Sequence, residues 1–234
     1  MSDHPVLVVV LHGDLLGVWS IPKSTYHYAF ARQAAMKMDN LIVAAILRPG
    51  YRDSTGQQSE GDRGEATGDN YTSEVVDAIA QAMDQLKKTF HPAHTVLAGH
   101  SGGAAIIGDI LGRWPGAADA ALMVSCPCDL AAWRHHMQQV QNGNAIWSVP
   151  VHSLSPLDLA DKVSPSVRVR LVVGGNDPLA PPAMSQGYAD RLRNRGDDVS
   201  VTVLPGLEHE ILLEPATLGA LTALVKGLET QVQR

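Results

Sequence analysis

The chain has 234 residues, 45% of them hydrophobic and 18% charged, which fits a single folded domain (1–234) with a full apolar core. Its net charge is −6, with dispersed basic residues outnumbered by acidic ones, which excludes the Lys/Arg-rich face that a nucleic-acid backbone requires. No repeat period and no low-complexity tract interrupts it.

The first apolar run, "VLVVVL" at 6–11, has no positively charged segment before it and is too short for a signal or membrane helix. It reads as a strand of a cytoplasmic protein with no membrane partner. Further strand-like runs follow at 40–46, 95–99, 120–125, 167–174 and 198–204. Helical patterns lie between most of them, at 24–38, 72–89, 102–113, 182–195 and 215–231. Thr72 stands where a helix cap belongs. The alternation predicts crossover units, hence a mostly parallel sheet covered by helices on both faces.

Two stretches break the rhythm. Residues 48–70 are rich in Gly, Asp and Ser and read as an exposed loop after the second strand. Residues 129–166 are far longer than one crossover helix needs, so they form either a cap over a substrate site or a long loop with packing helices. Cys126 and Cys128, the only cysteines, would close a very small, strained ring and are expected as reduced thiols. Suitably spaced partners for a zinc site are lacking, and no metal or organic cofactor is expected.

The stretch "TVLAGHSGG" at 95–103 carries the chemistry. A buried strand turning sharply into a helix around one serine needs glycine on either side, because side chains would collide. Read alone, it could equally be an ordinary strand, turn and helix. If Ser101 is a nucleophile, it needs a base, an acid to orient the base, and donors for an oxyanion. Asp177 lies just beyond the strand run of "LVVGGNDPLAPP", and His209 lies after the last strand in "VTVLPGLEHE". All three fall at carboxyl ends of predicted strands, the edge where parallel sheets gather ligands.

Backbone donors are expected from Gly102, at a helix N-terminus, and from the turn after the first strand, "LHGDLLG". There the N–H belongs to Asp14 or else Leu15, and the Asp14 carboxylate should turn away from the oxyanion. His12 is expected to hold that loop by hydrogen bonds. Tyr51 and Arg52 are expected to fix the loop beside the site. Leu15, Trp19, His100, Trp133 and Trp147 are candidates for a substrate pocket, and the aromatic ones serve equally well as packing residues.

The motifs "LHGD", "RPGY", "GHSGG", "GGNDPLAPP" and "GLEHE" occur in the order and spacing of the α/β-hydrolase superfamily, which the chain resembles over nearly all its length. Its second half also resembles the prolyl oligopeptidase and dienelactone hydrolase branches. The resemblance implies a three-layer α/β-hydrolase fold of about six strands, in the order 4-3-5-6-7-8 of family counting. The first two family strands are expected to be absent, and the cap insertion short. The dienelactone branch uses a cysteine nucleophile, whereas position 101 is serine and neither cysteine replaces it. Some hydrolases of the superfamily take their acid after the strand that ends here in "MVSCPC", so the resemblance also implies Asp129 as the alternative acid.

The expected activity is hydrolysis of small-molecule carboxylic esters through an acyl-enzyme. A serine peptidase or an acyltransferase would use the same residues, and a non-catalytic receptor or interaction module would keep only the fold.

Overall fold

The computed structural model describes residues 4–14, 26–64 and 67–232. Among the described residues six strands form one sheet: β1 (Val6–Leu11), β2 (Leu41–Ile46), β3 (His94–His100), β4 (Ala120–Val124), β5 (Arg168–Gly174) and β6 (Val199–Leu204). Their order is β2-β1-β3-β4-β5-β6, and every neighbouring pair is parallel, as the family resemblance implies. The helices are α1 (Tyr26–Lys37), α2 (Ser73–Phe90), α3 (Gly102–Arg113), α4 (Leu130–Val140), α5 (Pro156–Leu159), α6 (Pro182–Arg193) and α7 (Pro215–Val232).

Side-chain alternation along the strands divides the core into two layers. In β1, Leu7, Val9 and Leu11 face a cluster completed by α2, α3 and α6, while Val6, Val8 and Val10 face one completed by α1 and α7. All six β1 residues are buried, which explains their continuous apolar run. The edge strand β6 has no fully buried residue, and half-buried and exposed positions alternate over 199–202. Thr72 caps α2, its hydroxyl accepting from the Val75 N–H. Among the described residues no helix is long and apolar enough to cross a membrane.

Register aligns the strand ends. Leu11 pairs with Gly99, Gly99 with Met123, Val124 with Val172, and Gly174 with Leu204. The loops carrying Gly13, Ser101, Ser125, Asp177 and His209 therefore leave the sheet along one edge.

Residues 129–166 fold into α4, two short 3-10 turns and α5, packed on the body. Arg134 is their hub: its guanidinium pairs with Asp69 and donates to the carbonyls of Ile146, Trp147 and Val149. Two of the sequence expectations need correcting. Among the described residues of 48–70, the exposed ones lie between 52 and 62. Arg48, Tyr51, Thr67 and Asp69 are buried, the charged ones because Arg48 pairs with Asp14 and Asp69 with Arg134. Cys126 and Cys128 are joined as a disulfide rather than standing as thiols. The left-handed bend at Ser125 (φ 48°) opens the turn after β4, and the two Cα atoms come within 5.1 Å, inside bridging range.

Candidate active site

Ser101 sits at φ 53°, ψ −123°, in a region that non-glycine residues rarely occupy and that costs roughly 1–3 kcal/mol. The flanking glycines make the turn possible. A Cβ on Gly99 would lie 2.6 Å from the Gly103 carbonyl oxygen, and one on Gly103 would lie 2.5 Å from that of His12. The Ser101 N–H donates to Val124, while its carbonyl accepts from Ala104 and Ala105, so backbone hydrogen bonds fix the turn between β3 and α3.

His209 Nε2 lies 2.9 Å from Ser101 Oγ, and Nδ1 lies 2.9 Å from each Asp177 oxygen. A carboxylate only accepts, so Nδ1 carries the proton and Nε2 accepts from the serine hydroxyl. Asp177 Oδ1 also accepts from the N–H groups of Leu179 and Ala180. Burial opposes ionisation of Asp177, but the hydrogen bonds and His209 outweigh it and hold the carboxyl below the usual range. Asp129, the alternative acid, instead caps α4 by accepting from Ala132.

The residues expected to supply backbone donors lie beside this triplet. Gly102 opens α3, where first-turn N–H groups have no partner inside the helix. The Gly13 N–H donates to Tyr26 Oη at 2.5 Å, and the Gly13 carbonyl accepts from His12 Nδ1 at 2.7 Å. Gly13 is thus already engaged, which leaves Asp14 as the next described amide. His12 holds the loop as expected: its Nε2 accepts from the Arg48 N–H. Burial first, then the charge of Arg48, push its pKa well below the usual imidazole range.

The Asp14 side chain does not turn away. Its carboxylate lies against Gly102, so close that a Cβ there would fall 2.4 Å from both oxygens. The charge is offset where it stands. Arg48 donates to Oδ1 at 2.8 Å, and the Tyr71 hydroxyl donates to Oδ2. Burial pushes the Asp14 carboxyl up, and Arg48 pulls it the other way. The guanidinium rests near the faces of Tyr51 and Tyr71. Tyr51 thus helps to fix this corner, whereas Arg52 is exposed and bonds Gln58.

The pocket candidates fare differently. Leu15 and Trp19 lie outside the described residues. His100 is 2% exposed, with one ring nitrogen bonded to Tyr26 and the other to the His209 carbonyl. Trp133 and Trp147 pack edge to face, 5.2 Å between centroids, within the core. Trp147 also borders a cavity of about 450 Å³ whose lining comes from 130–158 and does not include Ser101. Sequence reasoning missed Tyr26, Arg48 and Tyr71. The one available signal was Arg48, a charged residue just past the end of an apolar strand.

Six parallel strands in this order, with serine after the third in sequence, a carboxylate after the fifth and histidine after the sixth, define the α/β-hydrolase class. Residues 28–224 match the model of the prolyl oligopeptidase family, and the chain belongs to that family, a family of serine hydrolases. No curated protein matches the sequence. Among solved structures, it resembles the Pyrococcus furiosus esterase Pf2001 with a TM-score of 0.70 and 13% identity, over 97% of this chain and 83% of that one. Esterase PE8 matches with a TM-score of 0.64 and 17% identity, over 96% of this chain and 93% of that one. A Mycobacterium tuberculosis puromycin-hydrolyzing peptidase matches with a TM-score of 0.64 and 20% identity, over 97% of this chain but only 35% of the peptidase. The Pyrococcus horikoshii acylaminoacyl peptidase is likewise matched over 37% of its length. At these identities the likeness is one of fold.

Proposed function

We propose that this chain is a carboxylesterase acting on small-molecule esters, with Ser101 as nucleophile, His209 as base and Asp177 as its orienting acid. The observation that carries the reading is the continuous Ser101–His209–Asp177 hydrogen-bond chain at the carboxyl edge of the sheet. His209 Nε2 takes the serine proton as Oγ bonds the ester carbon, and the oxyanion is met by the Gly102 and Asp14 N–H groups. Collapse of this intermediate breaks the bond to the alkoxy oxygen, which leaves as alcohol with the proton from His209. Water then gives a proton to the same histidine and attacks the acyl carbon. Release of the acid returns the proton to Ser101. Asp177 stabilises the imidazolium throughout and stays ionised.

In the same reading the chain is one domain working in the cytoplasm, with 129–166 as a cap. A serine peptidase is the second reading, favoured by the family to which the chain belongs and by the peptidases whose catalytic fold it shares. Turnover of p-nitrophenyl esters of increasing acyl length, set beside aminoacyl p-nitroanilides, separates the two. The esterase reading expects ester turnover with kcat/KM well above that for any anilide. Efficient anilide cleavage with negligible ester turnover would replace it with the peptidase.

A further inference from the structure

Three hydrogen bonds join loops that the sequence keeps far apart. The Gly13 N–H donates to Tyr26 Oη at 2.5 Å, Tyr26 Oη lies 2.9 Å from His100 Nδ1, and His100 Nε2 lies 2.9 Å from the His209 carbonyl oxygen. Their proton order is fixed by chemistry. A carbonyl only accepts, so His100 carries its proton on Nε2 and leaves Nδ1 bare. Tyr26 must then donate to Nδ1, and its oxygen is free to accept from Gly13. All bonds point one way, and no group in the chain is left unused.

We propose that His100 and Tyr26 are positioning residues that lock the Gly13–Asp14 loop to the His209 backbone, setting oxyanion donor and base at a fixed distance across Ser101. The inference rests on the esterase reading above.

Both ends of the link border the reacting atoms. A Cβ on Gly13 would lie 2.9 Å from Ser101 Cβ and 3.0 Å from Tyr26 Oη, so loop, nucleophile and tyrosine are in contact. The two peptides flanking Gly13 are each pinned, one through its N–H by Tyr26 and the other through its carbonyl by His12. Cis peptide bonds are absent among the described residues, so the Asp14 N–H points opposite to the carbonyl that His12 holds. At the far end the His209 carbonyl also accepts from Ser125 Oγ and from the Ile211 N–H, each at 2.9 Å. The base is therefore held by its backbone as well as by Asp177. Burial, and then His209, push the His100 pKa down to about 3, which keeps the ring neutral as this proton order requires. Burial likewise pushes the Tyr26 hydroxyl pKa up.

Tyr26→Phe keeps the ring and removes the hydroxyl, freeing the Gly13 N–H and His100 Nδ1 together. His100→Leu cuts the link, and His100→Gln keeps an amide N–H near the position of Nε2. The test measures kcat and KM on a p-nitrophenyl ester, Ki for phenylboronic acid, and fluorophosphonate labelling, after confirming by thermal melting that each variant is folded. For Tyr26→Phe and His100→Leu, kcat should fall about 10- to 100-fold with KM nearly unchanged, the effect expected of a small misplacement of reacting groups. Boronate Ki should rise in proportion, because the tetrahedral adduct needs the donors that the ground state does not. His100→Gln should recover part of the loss. Folded Tyr26→Phe and His100→Leu proteins with wild-type kcat and boronate affinity would overturn the link while leaving the triplet standing. Wild-type protein that fluorophosphonate does not label would overturn the esterase reading, and the link with it.

Discussion

Ser101 and the Gly13–Asp14 loop face each other across the candidate site but are held by different means. Ser101 is fixed by backbone: a left-handed turn, hydrogen bonds to Val124 and α3, and glycines that let β3 and α3 close on one another. The loop is fixed by side chains from distant segments, with Tyr26 on the Gly13 N–H and Arg48 and Tyr71 on the Asp14 carboxylate. A backbone-held turn tolerates loss of its side-chain chemistry without moving. A side-chain-held loop changes shape with each tether removed, and here those tethers also neutralise a buried carboxylate beside the place of the proposed oxyanion.

The largest effect is expected where chemistry and backbone separate cleanly. Asp177→Asn leaves the Ser101 turn intact but offers His209 the wrong partner, and kcat should fall roughly 10⁴-fold. Asp129→Asn should leave kcat unchanged, since asparagine caps a helix about as well as aspartate. A larger defect in the second variant would reassign the acid. Gly102→Ala drives the two regions into collision, because the new methyl meets the Asp14 carboxylate. A kcat loss of roughly 10²–10³, the cost of one oxyanion donor, is expected, and replacing Asp14 by Gly in the same protein should recover part of it.

Arg48→Met cuts the tether alone. With Arg48 and Asp14 side chains 1% and 7% exposed, the orphaned carboxylate should cost about 3–5 kcal/mol in urea unfolding. Arg48→Met with Asp14→Asn should be more stable than Arg48→Met by itself. Equal stability would show that the pair does not hold the loop.

The smallest effect concerns α3 behind the serine. Asp109 is fully buried there, and neither oxygen has a hydrogen-bond partner among the described residues. Burial pushes its carboxyl well above the usual range, against Arg113 and assisted by Asp158. The folded state thus binds this proton more tightly than the unfolded chain. Its contribution is fully present below the ordinary carboxylate pKa and is lost as pH rises towards the folded value. Asp109→Asn should remove that loss and raise the neutral-pH Tm by roughly 2–4 °C, measured by calorimetry across pH. An unchanged pH profile would contradict it.

Much of the fold was legible because each strand is an apolar run closed by a turn signal, and parallel crossovers leave few ways to order such strands. Ser101, Asp177 and His209 were legible for the same reason: each follows a strand end, so position along the chain fixes position on the sheet edge. Arg48, Tyr71 and Tyr26 were not, since nothing local distinguishes a tyrosine that reaches Asp14 or Gly13 from one that packs in the core. Asp14 showed the limit most clearly. Repulsion alone would turn its carboxylate away from the proposed oxyanion, and the Arg48 guanidinium, 34 residues on, together with the Tyr71 hydroxyl, explains why it stays. The Cys126–Cys128 disulfide depended on the bend at Ser125, which the sequence does not announce.

The central claim is that Ser101 is an activated nucleophile, and intact mass after fluorophosphonate treatment of wild-type and Ser101→Ala protein tests it most directly. The expected result is one adduct on the wild type, mapped to the peptide carrying Ser101, and none on the folded variant. An unmodified wild type, or an adduct that persists in Ser101→Ala, would contradict it.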